Sequence, residues 1–306
     1  MKLLNLTNSD LVSFPKEIIE YDQLETLYLD QNCIRQLPEN ISQLNKLKKI
    51  SLYNNYLTDL PSSFFAIETL EAVNLSANKI ASFSENISQL KNLQICDIQH
   101  NQLTEIPESL GNLSKLRFLY LGGNQLQTLP KTFGNLKNLL YLNLTYNQFT
   151  SLPDSLGKLS NLIELRLYRN QLQNLPEALS KLAKLKELYV MENQLTQLPL
   201  SIGKLTNLRK LMLENNRLNT LPASIGDLKK LTDLDLRNNQ LTHLPESIGQ
   251  LKALRFLDLR ANQLSELPAT LQTLGKLEKL DLRLNKSLLL PDWLAKLAQQ
   301  GCTIFA

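Results

Sequence analysis

The sequence predicts an α/β repeat solenoid, and three observations carry that reading. A 23-residue spacing runs through the 306 residues without insertion or deletion, with repeat starts at Met1, Leu24, Leu47, Leu70, Leu93, Leu116, Leu139, Leu162, Leu185, Leu208, Leu231, Leu254 and Leu277. Within each period, apolar and polar residues alternate in a short LxxLxL stretch, the pattern of a strand with one buried face. An asparagine and then a proline punctuate each period at fixed places. That makes about thirteen copies of one unit, LxxLxLxxNxLxxLPxxIxxLxx, with Ile, Val or Phe standing in for Leu.

The elements follow in order along the unit. LxxLxL predicts a strand whose leucines face inward and whose third, fifth and seventh residues face outward, with the eighth at the lip. The ninth position holds Asn32, Asn55, Asn78, Asn101, Asn124, Asn147, Asn170, Asn193, Asn216, Asn239, Asn262 and Asn285, with Ser9 in the first unit. These amides are expected to satisfy buried backbone groups where the chain leaves the strand. All twelve prolines, Pro15 to Pro291, occupy the fifteenth position, and Ser84 is the single gap. Proline there is expected to pre-set the first position of a helical turn, and the acidic residues that follow suit its N-terminus. About eight residues remain before the next strand, enough for one or two helical turns. Gly111, Gly134, Gly157, Gly203, Gly226 and Gly249 share one slot in that segment and are read as turn residues.

One unit cannot fold alone. Burying about seven apolar side chains yields roughly 10 to 20 kcal/mol, whereas fixing the backbone of one unit costs roughly 23 to 46 kcal/mol. Stacked neighbours must share their apolar faces and pair their strands, which gives a curved solenoid with a parallel sheet on the concave side.

This unit resembles the leucine-rich repeat, over the whole chain and in one register. The 23-residue LP form is similar to intracellular members such as Ras-pathway scaffolds, plant intracellular Ras-group proteins, bacterial repeat proteins and the repeat arms of Roco GTPases. The Gly-x-Ile-Pro insertion of extracellular plant receptors is absent. The resemblance implies a horseshoe with short helical turns on its convex side, and protein binding through the concave face.

Residues 1–299 read as one solenoid, and 287–306 as a capping segment of the same domain, with Trp293, Leu294, Leu297, Ile304 and Phe305 in an amphipathic helix and a short strand. At the other end, Asn5, Thr7, Asn8 and Ser9 are expected to keep an open sheet edge polar. No apolar stretch is long enough to span a bilayer, and Cys33, Cys96 and Cys302 are scattered and odd in number. The expected location is the cytoplasm, with reduced thiols. A formal charge of +4 is too mild for a dedicated nucleic-acid binder.

No catalytic, metal or cofactor constellation emerges. His100 and His243 lie six repeats apart, and no phosphate-cradling glycine loop is present. The chain is therefore read as a non-enzymatic protein-binding scaffold or adaptor. An alternative makes it the sensor arm of a kinase, GTPase or ligase whose catalytic domain lies outside this chain. Another uses a ridge of Lys115, Lys137, Lys158, Lys181, Lys184, Lys204, Lys229, Lys230, Lys252 and Lys276 for an anionic surface or nucleic acid.

The outward positions supply the candidate site. Repeats 6 to 10 place Phe118, Tyr120, Gly122, Gly123, Tyr141, Tyr146, Arg166, Tyr168, Arg169, Tyr189, Met191 and Met212 there, where folding requires none of them. Tyr, Phe, Met and Arg are interface anchors, and Gly122 and Gly123 are expected to leave the floor bare for a partner's close approach. A cross-strand aromatic ladder that only stabilises the sheet is the competing reading. Repeats 11 to 13 stack Asp235, Asp258 and Asp281 beside Arg237, Arg260 and Arg283, either a self-neutralised salt ladder or a secondary electrostatic site.

Overall fold

A computed structural model describes residues 1–306. The chain forms two compact units, 1–148 and 149–306. The first carries β1 (Leu3–Asn5), β2 (Thr26–Tyr28), β3 (Lys49–Ser51), β4 (Ala72–Asn74), β5 (Ile95–Asp97), β6 (Phe118–Tyr120) and β7 (Tyr141–Asn143). The second carries β8 (Glu164–Arg166), β9 (Glu187–Tyr189), β10 (Lys210–Met212), β11 (Asp233–Asp235), β12 (Phe256–Asp258), β13 (Lys279–Asp281) and β14 (Thr303–Phe305). Within each unit every strand pairs in parallel with the next along the chain, as in Phe118↔Tyr141 and Lys210↔Asp233. A constant 23-residue spacing forces this register among the repeat strands, because each residue meets its own equivalent one repeat later; β14 pairs with β13 at a spacing of 24, Lys279↔Thr303.

The strands are shorter than the LxxLxL stretch: three residues, positions three to five. The backbone ladder nonetheless continues past them, with Leu121 N–H donating to Asn143 O at 2.8 Å and Gly123 N–H to Thr145 O at 2.9 Å. What ends each extended run is a left-handed residue at position eight of all thirteen repeats, from Asn8 to Leu284, with φ between 51° and 67°. This kink turns the chain so that the ninth residue points inward. Each asparagine then joins two repeats: Asn147 Nδ2 donates to Leu121 O, Leu144 O and Thr145 O at 3.0, 3.2 and 3.1 Å, while its Oδ1 accepts from Leu126 N–H at 2.9 Å.

The opposite side is built of 3-10 turns, such as Glu108–Asn112 and Asp154–Lys158. Proline precedes each of these two turns with an extended ψ near 150° (146° at Pro107, 149° at Pro153), so it is the residue before the first helical position rather than the first. Its fixed φ starts the turn, and its carbonyl accepts the first N–H, as Pro107 O does from Leu110. Ser84, where proline is missing, caps its turn with a side chain that accepts from Asn86 N–H at 3.1 Å.

In three repeats the acidic residue that follows Ser84, Pro107 or Pro176 works on the next repeat, not its own. Glu85 accepts from Glu108 N–H and Ser109 N–H at 3.2 and 3.0 Å, Glu108 from Lys131 N–H and Thr132 N–H at 3.3 and 3.2 Å, and Glu177 from Leu200 N–H and Ser201 N–H at 2.8 and 3.2 Å. Each carboxylate thereby serves orphan donors of a neighbouring turn. Side-chain hydrogen bonds from Ser109, Thr132 and Ser201 respectively hold all three below the usual carboxylate range. A group depressed in the folded state stabilises above its unfolded pKa, about 4.3 for Glu, and that contribution is lost as pH falls through the folded value. Replacing Glu85, Glu108 and Glu177 together with Gln should therefore flatten the fall of melting temperature below about pH 4.3; an unchanged acid slope would show that the carboxylates do not cap.

The core is made of the repeat leucines, buried at nearly every inward position. In the first unit Phe65 meets Phe64 and Phe83 edge-on, at centroid distances of 5.6 and 5.9 Å. At the end of the second unit a helix, α1 (Leu294–Gln299), buries Leu294 and Leu297, and β14 pairs with β13. Cys96 and Cys302 are buried, Cys33 is exposed, and none is disulfide-bonded. No helix is long and apolar enough to cross a membrane.

Candidate functional site

The third and fifth residues of each repeat do stand on the open face of the sheet. In the first unit Phe118, Tyr120 and Tyr141 are half-buried and Tyr146 is exposed. Tyr120 and Tyr141, on adjacent strands, lie with ring centroids 4.8 Å apart and planes tilted by 38°. Such contact holds both rings in place and is worth about 0.2 to 1 kcal/mol to the sheet. Arg117 lies 5.7 Å from the centroid of Phe118.

The bare floor expected at Gly122 and Gly123 is not there. Gly122 is buried, and Asn143 Nδ2 donates to Gln99 Oε1 at 2.8 Å between repeats 5 and 7. A Cβ on Gly122 would meet Thr145 Oγ1 at 2.8 Å and both Asn143 Oδ1 and Gln99 Oε1 at 3.2 Å. The missing side chain is space used by the chain's own amide bridge. Gly123 occupies the left-handed eighth position, with φ of 67°, where glycine carries no steric penalty. A Cβ there would approach His100 Nδ1 to 2.5 Å. Local backbone and packing account for both glycines.

In the second unit Arg166, Tyr168, Tyr189, Met191 and Met212 are half-buried and Arg169 is exposed. Arg166 pairs with Glu164 at 2.6 Å and lies over the Tyr189 ring at 5.2 Å. Tyr189 Oη donates to Glu187, which also pairs with Lys210 at 3.3 Å. Burial, together with that carboxylate, pushes the Tyr189 hydroxyl well above its usual range. Arg169 pairs with Glu192 at 2.8 Å. Arg166, Arg169 and Tyr189 are therefore tethered before any partner arrives.

The Asp and Arg columns of repeats 11 to 13 interlock. Arg260 pairs with Asp258 at 2.8 Å and with Asp281 at 3.3 Å, Arg283 with Asp281 at 2.6 Å, and Arg237 with Asp235 at 3.3 Å and also with Glu214. Asp281 is wholly buried, yet hydrogen bonds from Arg283 outweigh the burial and hold it below its usual value. Asp235 is pushed up to about 6 by burial and by neighbouring Asp258.

Part of the lysine ridge is engaged as well. Lys115, Lys184 and Lys230 donate to Asn92, Asn161 and Asn207 of the preceding repeat at 2.7, 2.6 and 2.6 Å. Lys229 and Lys252 reach side chains of the following repeat. His243 lies among Thr220 and Thr242, and no three His, Cys, Asp or Glu side chains come together to hold a metal ion.

Sequence reasoning missed one feature. An open hollow of about 500 Å³ lies on the strand face of the first unit over β2 to β6, with Tyr28 and Tyr120 at its ends and Ser51, Ala72 and Asn74 between them. The signal was present as a run of small outward residues between two tyrosines.

The chain matches the family models "Leucine rich repeat", over residues 22–80, 68–126 and 206–264, and "Leucine-rich repeat region", over 130–220. No curated protein matches it in sequence. Among solved structures, a leucine-rich-repeat protein of Leptospira interrogans is 31% identical, with a TM-score of 0.66 over 100% of this chain and 96% of that one. A plant peptide hormone receptor solved in a complex is 29% identical with a TM-score of 0.81, over 93% of this chain but only 48% of the receptor's. An internalin from Listeria monocytogenes, 22% identical, shares the fold at a TM-score of 0.84 over 100% of this chain and 86% of that one. With its parallel strands, asparagine ladder and 3-10 turns in one 23-residue register, the chain belongs to the leucine-rich-repeat family.

Proposed function

We propose that the protein is a non-enzymatic scaffold or adaptor that binds a partner protein through the open strand face of repeats 6 to 10. One observation carries this reading: large aromatic, Met and Arg side chains occupy outward positions where the repeat requires nothing apolar, and Tyr120, Tyr141, Arg166, Arg169 and Tyr189 among them are already tethered. On β6 and β7 the anchors are Phe118, Tyr120 and Tyr141, joined by Tyr146 beyond the strand. On β8 to β10 they are Arg166, Tyr189 and Met212, with Tyr168, Arg169 and Met191 on the following turns. Ring, hydrogen-bond and ion-pair contacts hold Tyr120, Tyr141, Arg166, Arg169 and Tyr189, so little of their side-chain entropy is lost on association. Gly122 and Gly123 shape this face through the backbone and the amide bridge rather than as a bare floor.

The Asp235/Arg237, Asp258/Arg260 and Asp281/Arg283 pairs serve as a secondary electrostatic surface that sets register more than affinity. Residues 1–299 act as one binding solenoid with 287–306 as its cap. The proposed setting is the cytoplasm, where three unpaired thiols suit the reducing compartment, and the proposed role there is in signal transduction. The plant peptide hormone receptor, solved in a complex, supports protein or peptide recognition as the use of such a repeat array.

The test is capture of a partner by the wild-type chain against the Tyr120→Ala/Tyr168→Ala variant, with circular dichroism on both. The variant should stay folded and lose the partner. Equal recovery by the two would reduce the tyrosines to a ladder that only stabilises the sheet.

A further inference from the structure

The hollow over β2 to β6 differs chemically from the rest of the strand face. In the second unit, Glu164, Glu187, Glu192, Glu214, Asp258 and Asp281 each hold an Arg or Lys of the same chain. Two carboxylates line the hollow and neither holds an Arg or Lys: Asp30 is occupied by the Ser51 hydroxyl and by Tyr53 N–H at 2.9 Å, while Asp97 lies farther along the wall. Its oxygens accept only from the Gln99 backbone N–H at 3.1 Å and the Gln99 amide at 3.3 and 3.4 Å.

The lysine nearest in the hollow does not serve it. Lys49 stands two strands away and is turned onto the Tyr28 ring, 5.1 Å from its centroid. Between Lys49 and Ile95 stands only the methyl of Ala72, which leaves the space open. Asp97 is flanked in register by Asn74 on one side and the Tyr120 ring on the other, with Ile95 two residues before it on the same face. Burial raises its pKa above the ordinary value despite the Gln99 hydrogen bonds and the nearby His100, so a closely paired cation would stabilise the carboxylate further.

We propose that this hollow seats an arginine side chain of a protein partner, with the Asp97 carboxylate as counter-ion, the Asn74 amide beside it, and Tyr120 and Ile95 flanking the guanidinium plane. The two oxygens of Asp97 match the paired N–H groups of a guanidinium, and a planar cation lies well against an aromatic ring and an aliphatic chain. The volume, about 500 Å³, lies within the range of ligand pockets and exceeds what one side chain needs, leaving room for its backbone. The inference stands apart from the reading of repeats 6 to 10 and shares only Tyr120 with it.

The experiment is titration of the ¹⁵N-labelled full chain with the tripeptide acetyl-Gly-Arg-Gly-amide and with its citrulline counterpart, which keeps the shape but not the charge. The arginine peptide should shift the amide signals of Ala72, Asp97 and Gln99, and bind at least about 10-fold more tightly than the citrulline peptide. Asp97→Asn should bring the two peptides level. Lys49→Ala, which removes the one cation in the hollow, should tighten arginine binding severalfold, a gain that misfolding cannot mimic. Equal binding of both peptides, no shift with either, indifference to Asp97→Asn, or weakening by Lys49→Ala would each overturn the proposal. Asp97→Asn leaves every anchor of repeats 6 to 10 in place, so partner capture by that face succeeds or fails independently.

Discussion

Replacing Asn147 with Ala is expected to lower stability by about 3 kcal/mol or more, because a single amide serves four backbone groups from two repeats. Without it, Leu126 N–H loses its acceptor and the carbonyls of Leu121, Leu144 and Thr145 lose a donor, in a site only 7% exposed. Each buried polar group left unsatisfied costs about 1 to 3 kcal/mol, and relaxation of the turn recovers part of the total. Asn147→Asp should be at least as damaging, since it sets an oxygen against three carbonyl oxygens and buries a charge. Urea titrations against exposed Gln148→Ala, expected to stay within about 0.5 kcal/mol of wild type, make the comparison. A loss below about 1 kcal/mol for Asn147→Ala would mean that the ladder does not bind the repeats together.

Gly157→Ala should cost about 2 kcal/mol, against what intrinsic propensity suggests. Alanine is favoured over glycine in a helical interior by roughly 0.5 to 1 kcal/mol. A Cβ on Gly157, however, would lie 2.2 Å from the carbonyl oxygen of Ala178 in the next repeat, and a backbone oxygen paired into its own turn cannot swing away as a flexible side chain does. Overpacking of this kind typically costs about 1 to 3 kcal/mol. The same contact recurs at Gly111, Gly203, Gly226 and Gly249, within 2.2 to 2.5 Å of the following repeat's backbone. These residues do sit in turns, but close approach between repeats is what requires glycine. A rise in the urea midpoint of Gly157→Ala would show that the turns are not in contact there.

What the sequence alone determined is everything that recurs. A 23-residue period repeated about thirteen times leaves one way to bury the leucines, so fold class, strand order, register and the asparagine ladder were all legible in one dimension. Local chemistry was read less well. The extended run ends at the eighth position, which is left-handed in every repeat although residues as different as Ala261, Tyr146 and Leu284 stand there. The capping glutamates reach forward one repeat, a direction that a single helical turn does not reveal. Tertiary structure decided the features that break the period. The purpose of Gly122 depends on Gln99 and Asn143 meeting across it, 44 residues apart in sequence. The hollow at Asp97 depends on small residues from adjacent repeats lying side by side and on Lys49 turning toward Tyr28. A repeat pattern specifies which face a side chain points to; which of its neighbours it touches, and where a charge is left without a counter-ion, is set by side-chain sizes summed across strands.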